Sequence, residues 1–182
     1  MMGKIDFDKF IEEQRESATG DDEMDWIQQK KEWLAALEQF YGKIEGYLLP
    51  YIKTGDISLI YQDKSIDEEF IGEYVVKKML IRMKDREAIL EPIGTTLFGA
   101  KGHVELRGRN GLVRFVLVDK NASSPKVEIR IRTKNDLETG EKKNNPQKID
   151  WEWKIATSPP MIEYVEMTDD SFFDALLEVI NG

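Results

Sequence analysis

Between Asp25 and Tyr51, apolar residues recur at alternating steps of three and four: Ile27, Leu34, Leu37, Tyr41, Ile44, Leu48 and Tyr51, with Lys30 the one interruption. That spacing repeats once per helical turn and predicts an amphipathic helix. Trp26, Trp33, Phe40 and Leu49 widen the stripe to the breadth of a helix lying on a sheet. Gly42, Gly46 and Pro50 weaken its second half and predict a kink or an early end. Upstream, residues 5–18 read as a shorter amphipathic helix, with Ile5, Phe7, Phe10 and Ile11 as its stripe and Asp6 as a cap. Thr19-Gly20-Asp21-Asp22-Glu23 predicts a break between the two, an acidic linker that leaves residues 1–23 loosely attached.

From Ile57 the period changes to two, the signature of half-buried strands. The pattern predicts strands over residues 57–62, 74–83, 88–93, 103–107, 112–119, 126–133 and 149–155, with one more over 161–165. Gly108-Arg109-Asn110-Gly111 lies between two alternating runs and predicts a tight hairpin centred on Asn-Gly. In 126–133 Val127, Ile129 and Ile131 alternate with Glu128, Arg130 and Arg132. In 149–155 Ile149, Trp151, Trp153 and Ile155 share one face, so both tryptophans are expected in the core. Residues 134–148 are polar and read as a mobile hairpin tip. After Ser158-Pro159-Pro160, Thr168 or Asp169 caps a last helix whose apolar face is Phe172, Phe173, Leu176, Leu177 and Ile180. The order is helices, a run of antiparallel strands, then a helix. This is a single α+β domain, with the N-terminal helices and the C-terminal helix on one face of a curved meander sheet.

Composition narrows the chemistry. The chain has 182 residues, no Cys and one His, so thiol nucleophiles, zinc ribbons and sites built on two His ligands are excluded. No metal or other cofactor is expected. No apolar run approaches the roughly 20 residues needed to cross a bilayer, and no secretory signal is evident, so a cytoplasmic protein is expected. The net charge is −9, but it is unevenly spread: residues 99–148 carry 12 Lys and Arg against 6 Asp and Glu, and the remainder 14 against 29. A dipolar molecule follows, with acidic flanks and a basic middle.

Five patterns bear on function. His103 in Gly99-Ala100-Lys101-Gly102-His103 has Glu105 on the same strand face, yet no nucleophile accompanies it, and a strand-start or surface histidine is the simpler reading. The glycines at 94, 99, 102, 108 and 111 lack the spacing of a phosphate-binding loop and read as turn and bulge positions. Glu152-Trp153-Lys154 has the E-x-K form of some metal-dependent nucleases, but the preceding strand offers arginines where a second acid is needed. Two charge clusters remain. Asp21, Asp22, Glu23 and Asp25, with Asp67-Glu68-Glu69 and Glu73, form acidic groups suited to a basic partner. Lys101, Arg107, Arg109, Arg114, Lys126, Arg130 and Arg132 form a basic sheet face suited to an anion.

The reading these patterns support is a non-enzymatic cytosolic protein that binds an unidentified protein partner, as an inhibitor or adaptor of a basic one, through Asp21, Asp22, Glu23 and Asp25. The alternative is a module, or a metal-dependent hydrolase, that takes an anionic ligand or nucleic acid on Lys101, Arg107, Arg114, Arg130 and Arg132. Nucleic acid is not favoured, and no membrane partner is expected.

Overall fold

A computed structural model describes residues 3–95, 100–125 and 149–181, with the side chains of 13–24 left aside. The chain is α+β: the described residues form a helix α1 (Lys4–Lys53), seven strands and a C-terminal helix α2 (Asp169–Asn181). The strands are β1 (Ser58–Glu68), β2 (Gly72–Met83), β3 (Arg86–Gly94), β4 (Gly102–Gly108), β5 (Gly111–Asp119), β6 (Trp151–Ala156) and β7 (Tyr164–Glu166). They form one antiparallel sheet in sequence order, so β1 and β7 are its edges.

Paired residues across an antiparallel ladder share a face. One row runs Tyr61, Met79, Leu90, Leu106, Val113; the next runs Pro92, Val104, Phe115, Ile155, Val165. These rows meet α1 through Trp33, Leu37, Phe40, Ile44 and Leu48, and α2 through Phe172, Ala175, Leu176, Val179 and Ile180. Phe40 stands 5.3 Å from Phe115 and 4.6 Å from Trp153, and Phe115 stands 6.3 Å from Phe172. One aromatic cluster therefore joins both helices to the sheet. The buried stripe of α1 is centred on Trp33 and Phe40, with Leu34 and Tyr41 half-buried at its margin and Ile27, Leu49 and Tyr51 exposed. The buried stripe thus keeps Leu37, Ile44 and Leu48 of the predicted seam but takes the larger rings Trp33 and Phe40 in place of Leu34 and Tyr41.

Two glycines make close approach possible. A Cβ on Gly102 would lie 2.2 Å from the Trp33 ring, and one on Gly108 would lie 2.2 Å from the Val179 carbonyl oxygen. The first lets Trp33 lie on β4. The second lets the end of α2 rest on the β4–β5 turn, where Asn110 donates from its backbone N–H to Val179 O (3.0 Å) and from Nδ2 to Ile180 O (2.9 Å). These bonds satisfy carbonyls that a helix end leaves open.

Several expectations are corrected. The predicted break at residues 19–23 is helical: α1 runs unbroken through Gly20, whose cost of about 1 kcal/mol relative to Ala a long helix absorbs. In place of two N-terminal helices there is one. The strand predicted over 57–62 extends to Glu68 as one arm of a long β1–β2 ribbon. The β4–β5 turn is Arg109-Asn110 between paired Gly108 and Gly111, and neither Asn110 nor Gly111 takes a positive φ. Trp153 is buried, but Trp151 is 39% exposed at the end of its row. The strand predicted over 126–133 and the tip over 134–148 lie outside the described residues.

Replacing Trp153 with Ala should cost about 3–5 kcal/mol, as loss of a large buried ring does. Trp151→Ala should cost under about 1 kcal/mol, as at other half-exposed positions. Urea unfolding of the two variants checks the difference.

Candidate interaction surface

Beyond the Met79–Leu90 pair β2 leaves β3, and the β1–β2 ribbon continues alone. Its right-handed coil turns Ile66, Tyr74 and Val76 into the core beside Trp33. The tip of the ribbon thereby reaches α1. Phe70 stacks on Trp26 with centroids 4.9 Å apart and planes 8° from parallel, and Lys30 stands over the Tyr74 ring at 5.5 Å. The base of the tip is tied down by Glu68, which accepts from the Tyr74 hydroxyl (2.6 Å) and from the Thr95 N–H and hydroxyl (2.8 and 2.7 Å).

This stack brings two acidic groups of the sequence to one pole. Asp25 precedes Trp26 on α1, and Asp67, Glu69 and Glu73 flank Phe70; all four are exposed. Asp21, Asp22 and Glu23 occupy the adjoining turns of α1, their side chains outside the described set. Phe70 is itself 64% exposed.

The basic residues are arranged otherwise. Lys101 lies at the α1 side of the sheet, in a groove of about 870 Å³ that Glu32, Lys43, Leu117 and Trp151 help to line. It is ion-paired with Glu32, whose carboxyl it holds below the usual range, and it stands 5.0 Å from the centroid of Trp151. Arg107 and Arg114 share the opposite sheet face with Glu91 and Glu105. Arg107 Nε donates to Glu105 (3.0 Å) and lies 3.8 Å from Glu91; Arg114 lies 3.5 Å from Glu105; Lys64 lies 3.0 Å from Glu91. The buried Glu105 carboxylate thus sits between two guanidinium groups. Burial pushes its pKa up, but the two arginines outweigh burial and hold it below the usual range. Arg109 is exposed in the β4–β5 turn. Lys126, Arg130 and Arg132 lie outside the described residues.

His103 stands at the start of β4, as the strand-start reading has it, but it is buried and not on the surface, and its Nδ1 has no hydrogen-bond partner. Glu105 shares its face, but no hydrogen bond joins the two within the described contacts. Lys154 of the E-x-K pattern donates to the carbonyls of Lys120 and Ala122 (both 2.7 Å), so it braces the turn after β5. Among the described residues, no group of three or more His, Cys, Asp and Glu is placed to hold a metal ion. Among them also, no helix is long and apolar enough to cross a membrane. Comparison of the chain with protein-family models, with curated proteins and with solved structures found no match.

The residues that periodicity missed are those of the ribbon. Trp26 reads as one more member of a helix stripe. Phe70 was the available signal: a lone large ring among Asp67, Glu68, Glu69 and Glu73 has to find a partner or stay in water.

Burial lowers the His103 pKa, and the Arg114 guanidinium lowers it further against the opposing pull of Glu105 and Glu68. Its folded value therefore lies below the unfolded one. The stability this confers is complete above the ordinary histidine range and is lost as pH falls through it, because the unfolded chain takes the proton first. The urea midpoint of the wild type should drop between pH 7 and pH 5.5, and His103→Asn should flatten that slope.

Proposed function

We propose that the protein is a non-enzymatic, cytoplasmic binding protein that acts through protein–protein contact, as an inhibitor or adaptor of a basic partner. The observation that carries this reading is the Trp26–Phe70 stack, which brings the ribbon tip with Asp67, Glu69 and Glu73 beside the α1 acids Asp21, Asp22, Glu23 and Asp25. A concentrated patch of one sign steers an oppositely charged macromolecule and raises its association rate. The cations among the described residues are less available for an anion: Lys101, Arg107 and Arg114 each face a carboxylate of the same chain. The reading that an anion is the ligand consequently rests on Arg130 and Arg132.

Affinity capture from the native cell, with wild-type protein and an Asp21→Asn, Asp22→Asn, Glu23→Gln, Asp25→Asn variant as baits, tests this. A basic protein held by the first, released by salt and lost from the second is expected. Equal recovery on both baits contradicts the reading. So does an anionic ligand or nucleic acid that is lost only when Arg130 and Arg132 are replaced by Ala.

A further inference from the structure

The two edges of the sheet are treated differently. β7 has three residues, and its Tyr164 N–H donates to Ser123 O (2.9 Å), so the turn after β5 covers that edge. β1 has eleven residues, an extended length of about 37 Å. Among the described residues, no hydrogen bond from outside the ribbon reaches the backbone of residues 58–67. Ser58, Tyr61, Gln62, Asp63, Ser65 and Asp67 are exposed along it. Folded proteins usually blunt such an edge, because its row of open N–H and C=O groups is a template for another strand.

A groove of about 640 Å³ lies between α1 and the ribbon, where Tyr61 of β1 and Val75, Val76 and Lys77 of β2 line it. Leu34, Leu37, Tyr41, Tyr61, Val75 and Val76 give it apolar walls. Tyr41 donates to Lys77 O (2.5 Å) and the Tyr61 hydroxyl donates to Glu45, so both phenols are held with their rings toward the groove. Val75 remains 61% exposed there. The charged groups of the groove are Glu38 and Glu45 on α1, both exposed, and Lys77, which is already paired with Asp63. Its uncompensated charge is therefore negative. On α1 the groove spans Leu34 to Glu45.

We propose that β1 is a docking edge, at which an extended segment of a partner protein adds as an eighth strand, its α1-facing positions carrying apolar residues and Lys or Arg in alternation. The inference rests on the reading of the protein as a binder of basic partners and names where and how the partner is held. The main chain of the added strand pairs with β1, and its side chains supply the selection. Apolar positions meet Tyr61 and Val75. The longer basic side chains lay their stems on the same surface and reach Glu38 and Glu45. Those two acids lie seven residues apart on α1, about 10.5 Å. Basic residues four apart in a strand are separated by about 13 Å, within the reach of flexible side chains. A second copy of this chain is the poorer occupant, since each copy carries −9.

The test uses a labelled peptide, Ac-Thr-Val-Thr-Lys-Thr-Val-Thr-Lys-Thr-Val-NH2, and a control with Pro at the third and seventh positions, which removes backbone donors. Fluorescence anisotropy reads binding by the full chain, and amide hydrogen exchange reads where the peptide lies. The expected result is binding of the first peptide at least tenfold tighter than the control, with slowed exchange across residues 58–66. Glu38→Lys with Glu45→Gln, which keeps an acceptor for the Tyr61 hydroxyl, should weaken it at least tenfold while leaving the urea midpoint in place. If the peptide binds but protection is confined to the surroundings of Asp25 and Phe70, the docking edge is wrong and the acidic-pole reading survives. Equal binding of the two peptides, or no binding of either, also overturns the docking edge, while the capture experiment decides the acidic pole separately.

Discussion

Phe40 lies where the three layers of contact meet: it packs on Phe115 and Trp153 of the sheet, and Phe115 carries the contact on to Phe172 of α2. Each element alone has one apolar face and would leave it in water. The aromatic junction gives all of them the same place to hide. It also dictates details around it. Gly102 is required where Trp33 lies on β4, and Gly108 where the end of α2 comes to rest. With α1 packed on the sheet from Trp33 to Leu48, Trp26 is left beside the free end of the β1–β2 ribbon.

Charge follows from that placement. The basic middle of the chain is strand sequence, and in the sheet each described arginine of β4 and β5 except the turn residue Arg109 meets a carboxylate on the same face. Cross-strand neighbours of opposite sign are a normal way to stabilise an outer sheet face. Among the described residues, Asp25, Asp67, Glu69 and Glu73 form no ion pair of this kind.

Alternation made most of the sheet legible. β2 to β5 fall within two residues of their predicted bounds, since a one-residue slip would have put Leu90, Val104 and Phe115 in water. The C-terminal helix was clear in its bounds and in the acids at its start, but its buried face is Phe172, Ala175, Leu176, Val179 and Ile180, and the predicted Leu177 is exposed. Other features were not. Steps of three and four identify the buried side of α1 but fit a stripe through Leu34 and Tyr41 as well as one through Trp33 and Phe40. Gly20 looked like a break, and Gly102 and Gly108 looked like bends, because a glycine in sequence does not say whether it bends the chain or admits a neighbour. Of the candidate site, the acidic residues were legible and their convergence was not. It depends on a ring at position 26 meeting a ring at position 70, a contact set by the coil of the ribbon.

That convergence can be measured directly, because the chain has no cysteine to remove. Spin labels placed at Asp25→Cys and Glu69→Cys report the separation of α1 from the ribbon tip by pulsed electron resonance. A single short and narrow distance distribution, which broadens and lengthens when Phe70→Ala is added, is expected if the Trp26–Phe70 stack holds the acidic pole together. A broad or long distribution in the doubly labelled protein, unchanged by Phe70→Ala, would contradict it.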